Sequence, residues 1–127
     1  MMEVKINTKE KFTVLTPITP HITDTLAESI NLSCLNYLNA STKNVVLNLQ
    51  AVTAIDEEAA KNIVQLQQQF YDNNASFVLC ELKLQLEDIF DKYELLDLLN
   101  VTPTESEAWD IVQMEEIERE ILGDDEA

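Results

Sequence analysis

Two short apolar runs, VVLNL (45–49) and SFVLCEL (76–82), bracket a segment whose apolar residues recur at helical spacing, and this arrangement sets the fold class. Both runs are nearly continuous and rich in branched side chains, the pattern of strands buried on both faces in a parallel sheet. Between them Ala59, Ile63, Leu66 and Phe70 fall three and four residues apart, one face of a helix for which Asp56 is the expected cap. Asn73–Asn74 close that helix, because asparagine is the non-glycine residue that best tolerates the left-handed closing conformation. Strand, helix and strand form a β-α-β unit, in which the crossover helix covers one face of the sheet.

The flanking segments extend the unit. Residues 3–7 (EVKIN) and 11–15 (KFTVL) alternate polar and apolar around the connector NTKE, as two strands of a hairpin do. Pro17 and Pro20 are expected to end strand pairing and force an extended loop. Thr23 or Asp24 caps a first helix carrying Ala27, Ile30, Cys34 and Leu38 as far as Asn39. Leu86, Ile89, Phe90 and Tyr93 predict a third helix, followed by the cluster Leu95, Leu96, Leu98 and Leu99. Val101 opens a short strand that Pro103 closes, and Thr104 with Glu107 makes a capping box for a last helix with Ala108, Ile111, Val112 and Met114 inward. The order predicts an α/β fold with a mixed, mainly parallel sheet and an antiparallel N-terminal strand pair. Residues 1–122 read as one domain and 123–127 as an acidic tail.

Charge narrows the partners. The chain of 127 residues carries 24 acids and 8 bases, a net −16. Residues 1–80 hold eight acids and five bases (−3), and residues 81–127 hold sixteen acids and three bases (−13). Such a surface repels phosphate backbones and anionic lipid, so the expected partner is a basic protein surface rather than nucleic acid or membrane. No apolar stretch approaches the roughly 20 residues of a membrane span, and MMEVKINTKEK has no apolar signal core, so a cytoplasmic location is expected. Cys34 and Cys80 stand far apart in no metal or redox motif and read as reduced core residues.

Catalytic signatures are missing. The only glycine is Gly123, whereas phosphate-binding loops, dinucleotide turns and nucleophile elbows all need glycines for close backbone approach or strained turns. The single histidine, His21, lies in TPITPHIT beside no serine or cysteine motif and reads as an exposed loop residue. Zinc would need more His and Cys ligands than the chain has. Asp56, Glu57 and Glu58 point in different directions on a helix, so they read as a cap and two acids favoured by the helix dipole. Trp109 and Tyr71 belong to no base-stacking pattern, and Glu115, Glu116, Glu118 and Glu120 read as a solvated helix face. No cofactor and no catalytic residue is therefore expected.

The segment KNVVLNLQAVTAIDEEAAKNIVQLQQQFYDNNASFVLCEL resembles the central part of a STAS domain, the domain of anti-sigma-factor antagonists and of the cytoplasmic tails of sulfate transporters. The family pattern is an apolar strand, a short turn, Asp-Ser-Ser-Gly opening a helix, a polar turn and a second apolar strand. Asp56-Glu57-Glu58-Ala59 occupies the motif, and the leucine cluster and final helix extend the resemblance over nearly the whole chain. The resemblance implies a short sheet with helices largely on one side and a binding surface at the start of the second helix. It also implies a regulatory role in transcription, in which a partner serine kinase that is also an anti-sigma factor phosphorylates the second serine. Here that position is Glu58, which has no hydroxyl and carries −1 where phosphoserine carries about −1.5 to −2. The implied partner-binding residues are Thr53, Asp56, Glu57, Glu58, Ala59 and Lys61, with the loop 19–23 as a second patch. Two readings follow: a constant imitation of the phosphorylated state, or constitutive docking, for instance as a subunit of a larger transport complex.

Two other classes compete. A receiver-like domain would use Asp56 as a phosphoacceptor, but the first strand is followed by no acidic pair to hold Mg²⁺ and the opening hairpin is wrong for that fold. A metal-dependent enzyme would need the acids of the last two helices to converge, and their spacing disperses them.

Overall fold

The computed structural model describes residues 3–40 and 43–126. Its main sheet has five strands: β1 (Glu3–Thr8), β2 (Phe12–Ile18), β4 (Asn44–Asn48), β6 (Phe77–Cys80) and β7 (Val101–Thr102). They lie side by side in that order. β1 and β2 pair antiparallel, and every later pairing is parallel. Two further strands of two residues each, β3 (His21–Ile22) and β5 (Ala54–Ile55), pair parallel in a separate small sheet. The helices are α1 (Asp24–Asn36), α2 (Glu57–Asp72), α3 (Leu84–Lys92) and α4 (Glu105–Glu126).

The layering follows from the strand order. From β2 to β4, β6 and β7 the chain always steps the same way, and right-handed crossovers in one direction put their helices on one face. Accordingly Leu15, Val45, Leu47, Phe77 and Leu79 pack under Ile30, Cys34, Ile63, Leu66, Phe70, Leu86 and Phe90 of α1, α2 and α3. Phe70 and Phe77 meet with ring centroids 5.3 Å apart at a 41° tilt, joining α2 to the sheet. After β7 the chain turns back, and α4 crosses the opposite face and covers Phe12, Val14, Val46, Val78 and Cys80 with Ala108 and Val112. Burial on both faces is what the continuous apolar runs in the sequence require.

Several expectations are corrected. Pro17 does not end β2: the strand runs to Ile18, with Pro17 opposite Val4. Parallel pairing with β4 stops at Leu15, so Pro17 lies where β2 has a neighbour on one side only, and there the missing N–H is tolerated. Met114 does not face the sheet but points to solvent. Glu115 and Glu116 are half-buried: Glu115 accepts from Asn100 at 3.2 Å and Glu116 from Asn44 at 2.6 Å. Buried Asn44 also donates to the Lys11 carbonyl (2.9 Å) and accepts from the Ser76 amide (2.8 Å) and from Arg119 (3.3 Å), which donates to Ser76 as well. This network ties α4 to the starts of β4 and β6. The backbone of α4 continues through Gly123 to Glu126, taking in most of the segment expected as a tail.

With glycine absent from every turn described, other residues take the left-handed conformation: Asn74 (φ 58°), Glu81 (φ 59°) and Glu94 (φ 60°). Asn74 closes α2, as its sequence predicts. Glu81 stands just past β6, and its carboxylate accepts from the Glu105 amide at 3.1 Å, capping α4 beside the Glu107–Thr104 bond at 3.2 Å. Cys34 and Cys80 are both buried free thiols, as expected. Burial pushes each up to about 12, with Glu105 and Glu81 adding to the effect at Cys80.

Candidate functional site

The site lies at the rim formed by the C-terminal ends of β2 and β4. The loop leaving β2 holds Pro20 and His21, and the loop leaving β4 holds Thr53 and Asp56. The small β3–β5 sheet stitches them together. The Pro20 carbonyl accepts from the Thr53 amide (2.8 Å), the Ala54 amide (3.0 Å) and the Thr53 hydroxyl (3.0 Å). The Ile22 carbonyl accepts from the Asp56 amide at 3.0 Å. Ile22 and Ile55, paired in register, are buried and pin the stitch to the core. The two patches that the sequence suggested separately, around 19–23 and 53–61, are therefore one surface.

At its centre His21 Nε2 lies 2.7 Å from Asp56 Oδ1, both side chains about half exposed. His21 is therefore neither unpaired nor in an irregular loop; it belongs to β3. Asp56 holds the N-cap position of α2 with extended backbone angles (φ −72°, ψ 152°), yet its side chain makes no capping hydrogen bond. The carboxylate that should accept from the first-turn amides is turned to the histidine instead. By contrast, α1 is capped in the ordinary way, with Thr23 Oγ1 accepting from the Leu26 amide at 3.3 Å.

Beyond Asp56 the first turn of α2 presents Glu57 and Glu58 to solvent, while Ala59 turns inward and is fully buried. Ala59 thus belongs to the core, and its side chain is not a contact residue. Lys61, one turn on, bridges both glutamates: Nζ is 3.3 Å from Glu57 and 3.4 Å from Glu58. The hydrogen bond that Lys61 donates to Glu57 and the charges of both glutamates raise the Lys61 ammonium above its ordinary value. Asp56, Glu57, Glu58 and Lys61 together carry −2 with an imidazole alongside. The arrangement can bind a cationic or hydrogen-bonding surface. Among the described residues no three His, Cys, Asp or Glu side chains stand close enough together to hold a metal ion.

Sequence reasoning missed the His21–Asp56 pair and the small sheet. Strands of two residues are too short for periodicity to mark, and nothing local in TPITPHIT points to a partner 35 positions away. Thr53, Asp56, Glu57, Glu58 and Lys61, which the sequence singled out, are placed along this one rim.

Comparison with known proteins agrees with this architecture. An anti-sigma factor antagonist assignment attaches to a Thermotoga maritima protein whose crystal structure superposes with a TM-score of 0.75 at 19% identity, over 87% of this chain and 94% of that one. An anti-sigma factor antagonist from Mycobacterium paratuberculosis gives 0.75 at 13% identity, over 89% and 95%. A serine-to-glutamate variant of RsbS from Moorella thermoacetica gives 0.70 at 16% identity, over 87% and 94%. At these identities the likeness is one of fold. No curated protein sequence matches. No helix among the described residues is long and apolar enough to cross a membrane. The STAS domain model, however, matches residues 3–108, from the first strand through the first turn of the last helix. With that span filled by the mixed sheet and three one-sided crossovers described above, the chain belongs to the STAS domain family.

Proposed function

We propose that this STAS domain is a non-catalytic regulatory module that docks a protein partner through the rim made by His21, Thr53, Asp56, Glu57, Glu58 and Lys61. The observation that carries the reading is the exposed first turn of α2, held by the β3–β5 stitch and left without a side-chain cap. The partner is an anti-sigma factor or serine kinase, and the net −2 of the rim calls for positive charge on its docking surface. Glu58 takes the place of the serine that is phosphorylated elsewhere in the family.

Between constant imitation of phosphoserine and constitutive docking, the ion pairs favour docking. A phosphoserine would place about −1.5 to −2 on one exposed group. Glu58 carries −1 and shares Lys61 with Glu57, so much of its field is cancelled within one helical turn. The charge at this point is modest and already partnered, which suits a fixed contact surface better than a switch.

Affinity purification from the native cells, read by mass spectrometry, tests the proposal with two variants. Glu58→Lys should abolish recovery of the main partner while circular dichroism shows an unchanged fold. Equal recovery would move the interface away from this rim. Glu58→Ser should leave the same partner bound, and capture of a serine kinase by that variant alone would restore the phospho-imitation reading.

A further inference from the structure

We propose that the outer face of α4 is a second interaction surface, which takes a basic amphipathic helix of a partner protein. Four large apolar side chains on this helix are more than half exposed, Met114 (56%), Ile117 (55%), Ile121 (56%) and Leu122 (61%), and the first three share one face. The spacing of Met114, Ile117 and Ile121, three and then four residues, aligns them in one row, the a–d–a pattern of a helix–helix seam. At 100° per residue the row lies nearly opposite Val112, which packs on the sheet, so no part of this domain's core can cover it. All three residues lie past position 108, where the STAS match ends.

Charge identifies the occupant. Between Glu105 and Leu122 the helix holds seven acids and one base. The base, Arg119, is turned inward onto Ser76 and Asn44. The apolar row is bordered by Asp110, Glu118 and Glu120, all exposed. A second copy laid face to face would set acid against acid, which disfavours a symmetric pair through this row. A helix with its own apolar row flanked by lysine or arginine satisfies both features, placing cations at the seam edges where interhelical ion pairs select the partner. The row runs over eight residues (114–121), about 10 Å of helix axis, so the contact is two turns long. It stands at the end of the sheet opposite the rim: Glu116 and Arg119 contact the starts of β4 and β6, whereas the rim lies at the strands' C-terminal ends.

The test uses a fluorescent designed peptide with leucine at a and d and lysine at e and g, a scrambled peptide of the same composition, and a twin with glutamate for lysine. Anisotropy titrations of the full chain should show binding of the first peptide alone. Ile117→Ser and Ile121→Ser should each weaken it at least about tenfold, and Leu32→Ser, which removes an exposed apolar residue from α1, should not. Equal binding of the scrambled peptide would reduce the effect to bulk charge and overturn the proposal, as would unchanged affinity in both isoleucine variants. Sedimentation showing a dimer that Ile117→Ser dissociates would assign the row to a second copy instead.

Discussion

The diverted carboxylate of Asp56 makes an unusual prediction about stability. The pair with His21 is short at 2.7 Å but half exposed on both sides, and exposed pairs contribute about 0.2–1 kcal/mol. A side-chain cap at a helix N-terminus is worth about 0.5–2 kcal/mol, and Asp56 already has the backbone angles for one. Replacing His21 by alanine loses the pair but frees the carboxylate to accept from the first-turn amides of α2. The two effects oppose each other, so His21→Ala should change unfolding free energy by less than about 0.5 kcal/mol. Asp56→Ala removes pair, potential cap and the favourable charge at the helix start together, and should cost about 1–2 kcal/mol. Asp56→Ser restores a capping oxygen without reaching the histidine and should recover most of that loss. Urea denaturation followed by far-ultraviolet circular dichroism measures all three, with an unchanged m-value as the check that only stability has moved. A cost above about 1 kcal/mol for His21→Ala, or equal costs for alanine and serine at position 56, would refute the reasoning.

Two other predictions concern the interior. Thr13 in β2 is fully buried and its hydroxyl has no hydrogen-bond partner among the described residues, so Thr13→Val should stabilise the fold by about 1 kcal/mol or more, read as a higher urea midpoint; a lower midpoint would show that the hydroxyl is satisfied. Burial raises Cys34 from 9.0 to about 12, so the folded state holds its proton after the unfolded chain has released it. The stabilising contribution is fully present below pH 9 and is lost as pH rises toward 12, at about 1.4 kcal/mol per pH unit. Cys34→Ala should flatten the alkaline limb of a stability–pH curve, and an unchanged slope would contradict the assignment.

Most of the fold was legible because its long elements obey one period each. The runs at 45–49 and 76–82 gave β4 and β6, and Ala59, Ile63, Leu66 and Phe70 gave the buried face of α2. The misreadings share a cause. Pro17, Asp56 and Met114 each follow a local rule until a neighbour distant in sequence changes the outcome: the end of β4 pairing, the imidazole of His21, and the turn of α4 away from the sheet. The acid run of α4 is a fourth case. Glu115 and Glu116 look solvated by composition, but Asn44 and Asn100 are buried or half-buried amides that need acceptors.

The same network explains why α4 can carry an apolar row outside the core without losing its place on the sheet. Its first turn is fixed at one end of the sheet, where the Glu105 amide donates to Glu81 and the Glu105 carboxylate accepts from Asn48. Its middle is fixed at the other end by Glu116 and Arg119. Polar anchors at both ends and Ala108 with Val112 between them determine the rotation of the helix about its axis. Were the helix held by apolar contacts alone, Met114, Ile117 and Ile121 would compete with Val112 for the sheet, and a roll of half a turn would bury them. The buried Asn44 opposes this: the roll would leave it only the Lys11 carbonyl and the Ser76 amide, losing its bonds to the charged Glu116 and Arg119, each worth about 1.5–3 kcal/mol. From Glu105 to Ile117 is about 18 Å along the helix axis, so the outer row lies toward the far end of the sheet from the strand ends that carry the rim. The polar side chains under α4 therefore serve the surface above it, keeping the apolar row turned to solvent.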